Sequence, residues 1–210
     1  EFRRVLFRSK YPRVRIDGSR VRGYGMAVTM QGSGIAGVDT GSVILKLNED
    51  GFFTLSHAAA DIGQGSDTVL CQIAAERLEV GMEQIVVCSF DLDTLPYDCG
   101  AYASSCTHVT GRATLIAADD MRRQMRAAVA RLFGVDAEAV GYAAGIFSMA
   151  AGQSLTLAEL ARTLASFSGQ DQLVAKGTYG GQTSPPPFVA GFAEVEDRKS
   201  TRLNSSHDQS

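Results

Sequence analysis

The sequence predicts an α+β fold in which helices pack on a mixed sheet, and three stretches carry that reading. Residues 42–47 and 51–58 alternate apolar and polar side chains on either side of Asn48-Glu49-Asp50-Gly51, a strong hairpin signal. Residues 67–79 place Val69, Leu70, Ile73, Ala74 and Leu78 on one helical face, and residues 84–90 return to a β-branched strand pattern. Strand, helix and strand in that order make a crossover, which packs right-handed. Residues 110–133 read as a long helix with Ala113, Ile116, Ala117, Met121, Met125, Ala128, Val129 and Leu132 as its buried stripe. Gly134 then stands where a C-terminal glycine closes a helix.

The remaining elements follow in chain order. Residues 10–22 are basic and irregular, and read as a connection; residues 24–31 alternate enough to be a strand. The glycine-rich stretch 32–41 reads either as a flexible lip over a site or as a disordered hairpin end. Residues 139–149 read as a hairpin strand with Gly152-Gln153 as its turn. Thr156 and Glu159 form a capping-box pair that opens a helix over 157–167. Residues 173–179 read as a strand, 180–187 as a loop and 188–196 as a last strand. No internal repeat is visible.

Both ends read poorly as protein. Residues 1–9 (EFRRVLFRS) and 197–207 (DRKSTRLNSSH) are rich in Arg and Ser and lack an apolar period. The string GATCGGAAGAGCACACGTCTGAACTC encodes the start of the tail, and its reverse complement encodes residues 1–8 and begins the codon of Ser9. The ends therefore read as one sequencing adapter translated in two orientations, with residues 10–196 as the native part and 1–9 and 197–210 as additions.

The 210-residue chain carries a net charge of −3, and removing the six basic and three acidic residues of the ends leaves 14 basic against 20 acidic. That balance argues against nucleic acid as a partner. With 45% hydrophobic residues, the chain is long enough for a proper core. Its four cysteines form no CxxC pair, and the histidines do not complete a zinc spacing. Cys71 on a helix face and Cys88 within a strand read as buried thiols of a reducing compartment. The longest apolar run, 139–151, contains Gly141, Tyr142 and Gly145 and is too short to span a bilayer.

Two stretches carry chemistry. Gly63-Gln64-Gly65 joins a strand to a helix, bringing backbone N–H groups and the positive end of a helix dipole to one point, where an anion is attracted. On its own it is also the signature of an ordinary strand-to-helix corner. The second stretch, 91–113, is crowded with small and hydroxylic side chains ahead of the long helix: Ala101, Ala103, Ser104, Ser105, Cys106 and Thr107. Such a run suits phosphate or a polar heterocycle. Glu76 reads as the polar side of the first helix, His57 and His108 as ordinary hydrogen-bonded histidines, and Asp91 and Asp93 as loop caps.

The ordered set Arg22-Gly23-Tyr24-Gly25, Asp61-Ile62-Gly63-Gln64-Gly65-Ser66-Asp67-Thr68, Gln72-Ile73-Ala74-Ala75-Glu76, Asp93-Thr94, Gly100-Ala101-Tyr102-Ala103-Ser104 and Gly111-Arg112-Ala113 resembles the molybdenum-binding subunit of the xanthine dehydrogenase and aldehyde oxidase family. The resemblance covers most of residues 22–195. It implies part of the molybdopterin-binding region of a bacterial, cytoplasmic oxidoreductase that hydroxylates an N-heterocycle or aldehyde, with water as oxygen source. It implies molybdenum held by molybdopterin, in the cytosine dinucleotide form, rather than by protein side chains. Partner subunits with iron–sulfur clusters and FAD would carry electrons away.

Residue by residue, Gln64 matches the family glutamine near the molybdenum ligands and pterin, with Gly63 and Gly65 giving close backbone approach. Ala103, Ser104, Ser105, Cys106 and Thr107 match the segment that lines the metal and hydrogen-bonds the pterin. Ser105 departs from the Arg that many members carry, and Cys106 from a hydroxyl or small apolar residue. The family's catalytic glutamate would lie beyond Glu196, so no catalytic residue is assigned here, and the fragment alone is expected to be inactive. An aryl-CoA reductase of the same family is a rival reading. From a different class comes a non-enzymatic nucleotide- or phosphate-binding module acting through Gly63 to Gly65 alone.

Overall fold

The computed structural model describes residues 14–166 and 172–198. The stretches 1–9 and 199–210 lie outside the described residues, as do Lys10 and Phe167 at the ends of two expected segments. The chain forms two units: one from the described parts of 1–31 and 186–210, the other from 32–185.

The first unit is an antiparallel sheet of β1 (Val14–Arg15), β2 (Arg20–Met30) and β10 (Phe188–Arg198), with β2 in the middle. Part of the stretch read as an irregular connection is thus strand. Asp17 makes the reversal between β1 and β2, accepting the N–H groups of Ser19 and Arg20, both at 2.8 Å. The last strand runs through Arg198, opposite Arg20, two residues past the junction expected at 196.

In the second unit a four-stranded sheet has the order β5-β4-β3-β9, from β3 (Thr40–Leu47), β4 (Phe53–His57), β5 (Ile85–Cys88) and β9 (Val174–Gly180). β4 and β5 are parallel and the other pairs antiparallel, so the sheet is mixed, as expected. The Asn48–Gly51 turn closes with Gly51 N–H donating to Asn48 O at 3.0 Å, and Gly51 takes the left-handed φ of 87° that glycine allows. Alternation places Val43, Leu45, Leu47, Phe53, Leu55 and His57 on the buried face, while Thr54 and Ser56 are only half-buried.

That buried face is covered by α1 (Ser66–Leu78) and α2 (Ser105–Phe133), which also pack on each other. A Cβ added at Gly177 of β9 would lie 1.9 Å from the Ala113 carbonyl oxygen, so this glycine is what lets α2 rest directly on the sheet. α2 begins five residues before the expected start, because small and hydroxylic side chains fit a first turn as well as a loop. Its buried stripe holds, except that Ile116 is exposed and Leu132 half-buried. Gly134 closes it at φ 66°.

The expected hairpin over 139–149 turns earlier, at Ala144-Gly145, because both residues there adopt positive φ. The strands β6 (Gly141–Ala143), β7 (Ile146–Ser148) and β8 (Ser154–Thr156) form a three-stranded meander. Tyr142 and Phe147 stack from it into the core, with ring centroids 4.7 Å apart, and the Tyr142 hydroxyl donates to Leu78 O at 2.7 Å. Helix α3 (Leu157–Ser166) opens on the predicted capping box: Thr156 N–H reaches Glu159 Oε2 at 2.8 Å, and Glu159 N–H reaches Thr156 Oγ1 at 3.3 Å. Cys71 is buried as expected, whereas Cys88, on edge strand β5, is half-buried.

Candidate functional site

β4 delivers the chain through three alanines to the first corner. Gly63 and Gly65 adopt φ of 107° and 76°, and a Cβ at either would meet nothing within 4 Å. The Asp61 carboxylate accepts the Gly63 N–H at 2.9 Å and the Gly65 N–H at 3.2 Å. Those bonds hold its carboxyl below the usual range. The Gln64 amide accepts Ile62 N–H at 2.7 Å and donates to Ala60 O at 2.9 Å. This corrects the expectation that the corner's amides await an external anion. A carboxylate two residues upstream reaches them first, in the manner of an Asx turn.

The second corner is arranged around Asp98. Its carboxylate accepts Gly100 N–H at 2.8 Å and the Thr110 hydroxyl at 2.5 Å. Gly100, Ala103 and Ser104 have φ of 108°, 49° and 58°, so the chain folds back sharply before α2 starts. Ser105 is buried, with its hydroxyl donating to Gly100 O and its N–H to Tyr102 O, both at 3.0 Å, so both of its donors are already used within the corner. Ser104 and Thr107 are exposed and Ala103 is half-buried. The first-turn amides of a 29-residue helix, with the positive end of its dipole, lie at this corner.

The 32–39 loop closes on the second corner. Gly34 N–H donates to Ala103 O at 2.8 Å, and the Tyr102 hydroxyl donates to Asp39 Oδ1 at 2.6 Å. Asp39 is 1% exposed and also accepts Ile35 N–H at 2.7 Å. Its hydrogen bond pushes the Tyr102 phenol up to about 12. The stretch read as a lip or a disordered end is thus a tied segment of the wall.

The two corners meet. Gln64 Nε2 lies 3.8 Å from Cys106 Sγ, a contact across 42 residues. Burial, with Asp98 nearby, pushes the Cys106 thiol up, so it stands there as a neutral thiol rather than a thiolate nucleophile. The phosphate-module reading loses its main support, because the amides it needs are already bonded to Asp61.

His57 sits beneath the first corner, fully buried, with Nε2 3.5 Å from Asp67 Oδ1. Its ring nitrogens make no well-formed hydrogen bond, with Ala59 and Asp67 only loosely in reach, which corrects the reading of His57 as an ordinary hydrogen-bonded histidine; His108 Nε2 is likewise unpartnered. Sheet register sends His57 to the same face as Val43, and apolar packing surrounds it there. Burial lowers its pKa against the opposing pull of Asp67 and Asp98. Ser89, at the end of β5, donates to Asp67 Oδ2 at 3.0 Å. Glu76 is exposed on α1, and Asp91 caps its loop by accepting Asp93 N–H at 3.2 Å, both as expected.

Asp39, Asp61 and Asp98 are the positioning residues that the sequence reading missed. Asp61 and Asp98 each stand two residues before a glycine whose N–H they accept, a local signal that could have found them. Nothing local marks Asp39. Among the described residues no group of three or more His, Cys, Asp or Glu is placed to hold a metal ion, and no helix is long and apolar enough to cross a membrane.

A family model described as molybdopterin cofactor-binding domain matches residues 6–202. The chain belongs to that family. Among curated relatives it is similar to a probable hypoxanthine oxidase of Escherichia coli K12, 35% identical over 82% of this chain and 18% of the relative. It is also similar to subunit gamma of the 6-hydroxypseudooxynicotine dehydrogenase complex of Paenarthrobacter nicotinovorans, 27% identical over 88% of the chain and 24% of that protein. The molybdopterin-binding chain thus spans roughly a fifth of the length of these relatives. Among solved structures, Cu,Mo-CO dehydrogenase superposes at a TM-score of 0.72 with 23% identity, over 84% of this chain and 24% of that one. Quinoline 2-oxidoreductase from Pseudomonas putida 86 gives 0.71 with 24% identity, over 87% and 25%. These two likenesses establish the α+β fold with its mixed sheet.

Proposed function

We propose that the chain is the cofactor-holding segment of the large subunit of a molybdenum hydroxylase, acting on an N-heterocycle or an aldehyde with water as oxygen source. The observation that carries this is the approach of Gln64 to Cys106, which makes one wall of two separate corners. The residues present fit the cofactor. Space is open beside Gly63 and Gly65, so a ligand can lie against the backbone, and Gln64, Ser104 and Thr107 are exposed around it. Molybdenum–molybdopterin, in the cytosine dinucleotide form, supplies the oxidising centre when bound.

The chain's own residues bind and orient that group. Gln64 is preorganised by its bonds to Ile62 and Ala60, so it loses little side-chain freedom on binding. Ala103 keeps the wall shallow, the first turn of α2 favours phosphate, and the neutral Cys106 thiol adds no charge. Ser105 shapes the wall from behind, tied to Gly100 and Tyr102. The catalytic glutamate lies beyond residue 196 in this reading, so the 210-residue chain turns nothing over by itself. Residues 1–9 and 197–210 are additions, and the parent works in the cytoplasm with an iron–sulfur subunit and an FAD subunit. The Paenarthrobacter relative, named as a subunit of a dehydrogenase complex, supports such an assembly.

The test is Gln64→Ala in the full-length subunit, read as molybdenum and pterin content and as activity on xanthine, aldehydes and N-heterocycles. Both contents should fall severalfold, with activity falling alongside. Unchanged cofactor content would remove Gln64 from the site.

A further inference from the structure

The β2–β10 ribbon presents one face of large apolar side chains. Its register pairs Met30 with Phe188, Val28 with Ala190, Met26 with Phe192 and Tyr24 with Glu194, and directly paired residues share a face. Tyr24, Met26, Val28, Met30, Phe188 and Phe192 are between 40% and 78% exposed. At about 3.4 Å per residue the apolar stretch is roughly 20 Å long. It ends where Arg20 and Arg22 pair with Glu194 and Glu196 at 2.9 to 3.6 Å. The opposite face carries Gly23, Gly25, Ala27, Gly191 and Ala193 along its middle, flanked by the exposed Val189 and Val195. A ribbon of this kind is marginal in water, and an apolar patch on the order of several hundred Å² marks an interface.

We infer that this face is the docking surface for the polypeptide that flanks the segment within the full-length subunit. The inference rests on the reading of the chain as part of a longer protein and on nothing in the cofactor assignment. The two relatives extend well beyond the matched segment, which is 18% of one and 24% of the other. The ribbon is built from β2, near the start of the 6–202 match, and β10, at its end, so flanking polypeptide enters and leaves at this sheet. A tethered occupant acts at an effective concentration in the millimolar range, which a second copy of the chain at ordinary dilution does not reach.

The experiment places single reporters, Phe192→Cys and Val28→Cys, separately in the full-length subunit and in the 210-residue chain, and follows maleimide labelling. Unsubstituted proteins set the background of native thiols, and denatured proteins the full rate. Labelling should be near the full rate in the 210-residue chain and at least tenfold slower in the full-length subunit. Agreement of the two positions, with unchanged circular dichroism, excludes a folding defect of either variant. Equal rates in both proteins would overturn the inference. So would protection in the 210-residue chain that grows with its concentration, which would make a second copy the occupant. Molybdenum content does not enter the readout, so failure of the cofactor assignment leaves the result standing.

Discussion

The 61–65 corner is shaped by bonds that reach two or four residues along the chain, from Asp61 to Gly63 and Gly65 and from Gln64 to Ile62 and Ala60. The 98–105 corner has local ties as well, from Asp98 and Ser105 to Gly100, but is also held from far away, by Asp39 on Tyr102, Gly34 on Ala103 and Thr40 on Cys99. The first corner can therefore form wherever β4 and α1 meet. The second takes its shape only after α2 has docked on β3 and β9. The first should tolerate damage elsewhere in the unit, and the second should fail with the packing.

The largest test of that difference is Gly177→Ala. A methyl 1.9 Å from the Ala113 carbonyl lifts α2 from the sheet and with it the second corner. A loss of about 3 kcal/mol or more is expected in urea unfolding, and a cost under about 1 kcal/mol would mean α2 docks with more slack than its seat on β9 implies. Asp39→Ala comes next. It releases the Tyr102 hydroxyl and the Ile35 N–H, both on exposed residues that water can reach, costing about 1 kcal/mol. Amide exchange should quicken at 100–105 and stay slow at 63 and 65, and equal quickening at both corners would erase the contrast.

A pH titration sharpens the comparison from below. Burial keeps the folded pKa of His57 under its ordinary 6.5, so the unfolded chain binds more protons as pH drops. The contribution of neutral His57 is whole above pH 6.5 and is lost as pH falls from there through the folded value. Urea midpoints between pH 7.5 and 5.5 should show that slope, and His57→Gln should flatten it; a slope that survives the substitution would assign the effect to other groups. The carboxyl of Asp61, depressed by its two amides, contributes above the ordinary carboxylate range and loses that only at more acid pH. Asp61→Ala is accordingly the mildest change. It should quicken exchange at Gly63 and Gly65 while leaving the unfolding midpoint nearly where it was, and a large midpoint shift would show the first corner to be part of the core.

Legibility in the sequence follows the same division. The Asn48–Gly51 turn, α1, the Thr156–Glu159 capping box and the C-terminal stop at Gly134 all appear where side-chain type and short spacing place them. The start of α2 was misjudged because Ser105, Cys106 and Thr107 suit a loop and a first helical turn equally. His57 reads as an ordinary strand-end histidine, and only sheet register buries it fully. The meander turn at Ala144-Gly145 was hidden by Gly152-Gln153, a more conventional turn pair.

Sequence alone determined the hairpin, the helices' buried faces and stops, and the glycine corner, since each depends on backbone preferences and on partners within one or two turns of the chain. Tertiary structure decided that Gln64 faces Cys106, that Asp39 holds Tyr102 and that His57 lies in the dark beneath them. Those pairings join residues 42 or more apart or arise from sheet register, and which surfaces come together is settled by the burial of the whole α1–α2–sheet interface rather than by any local preference.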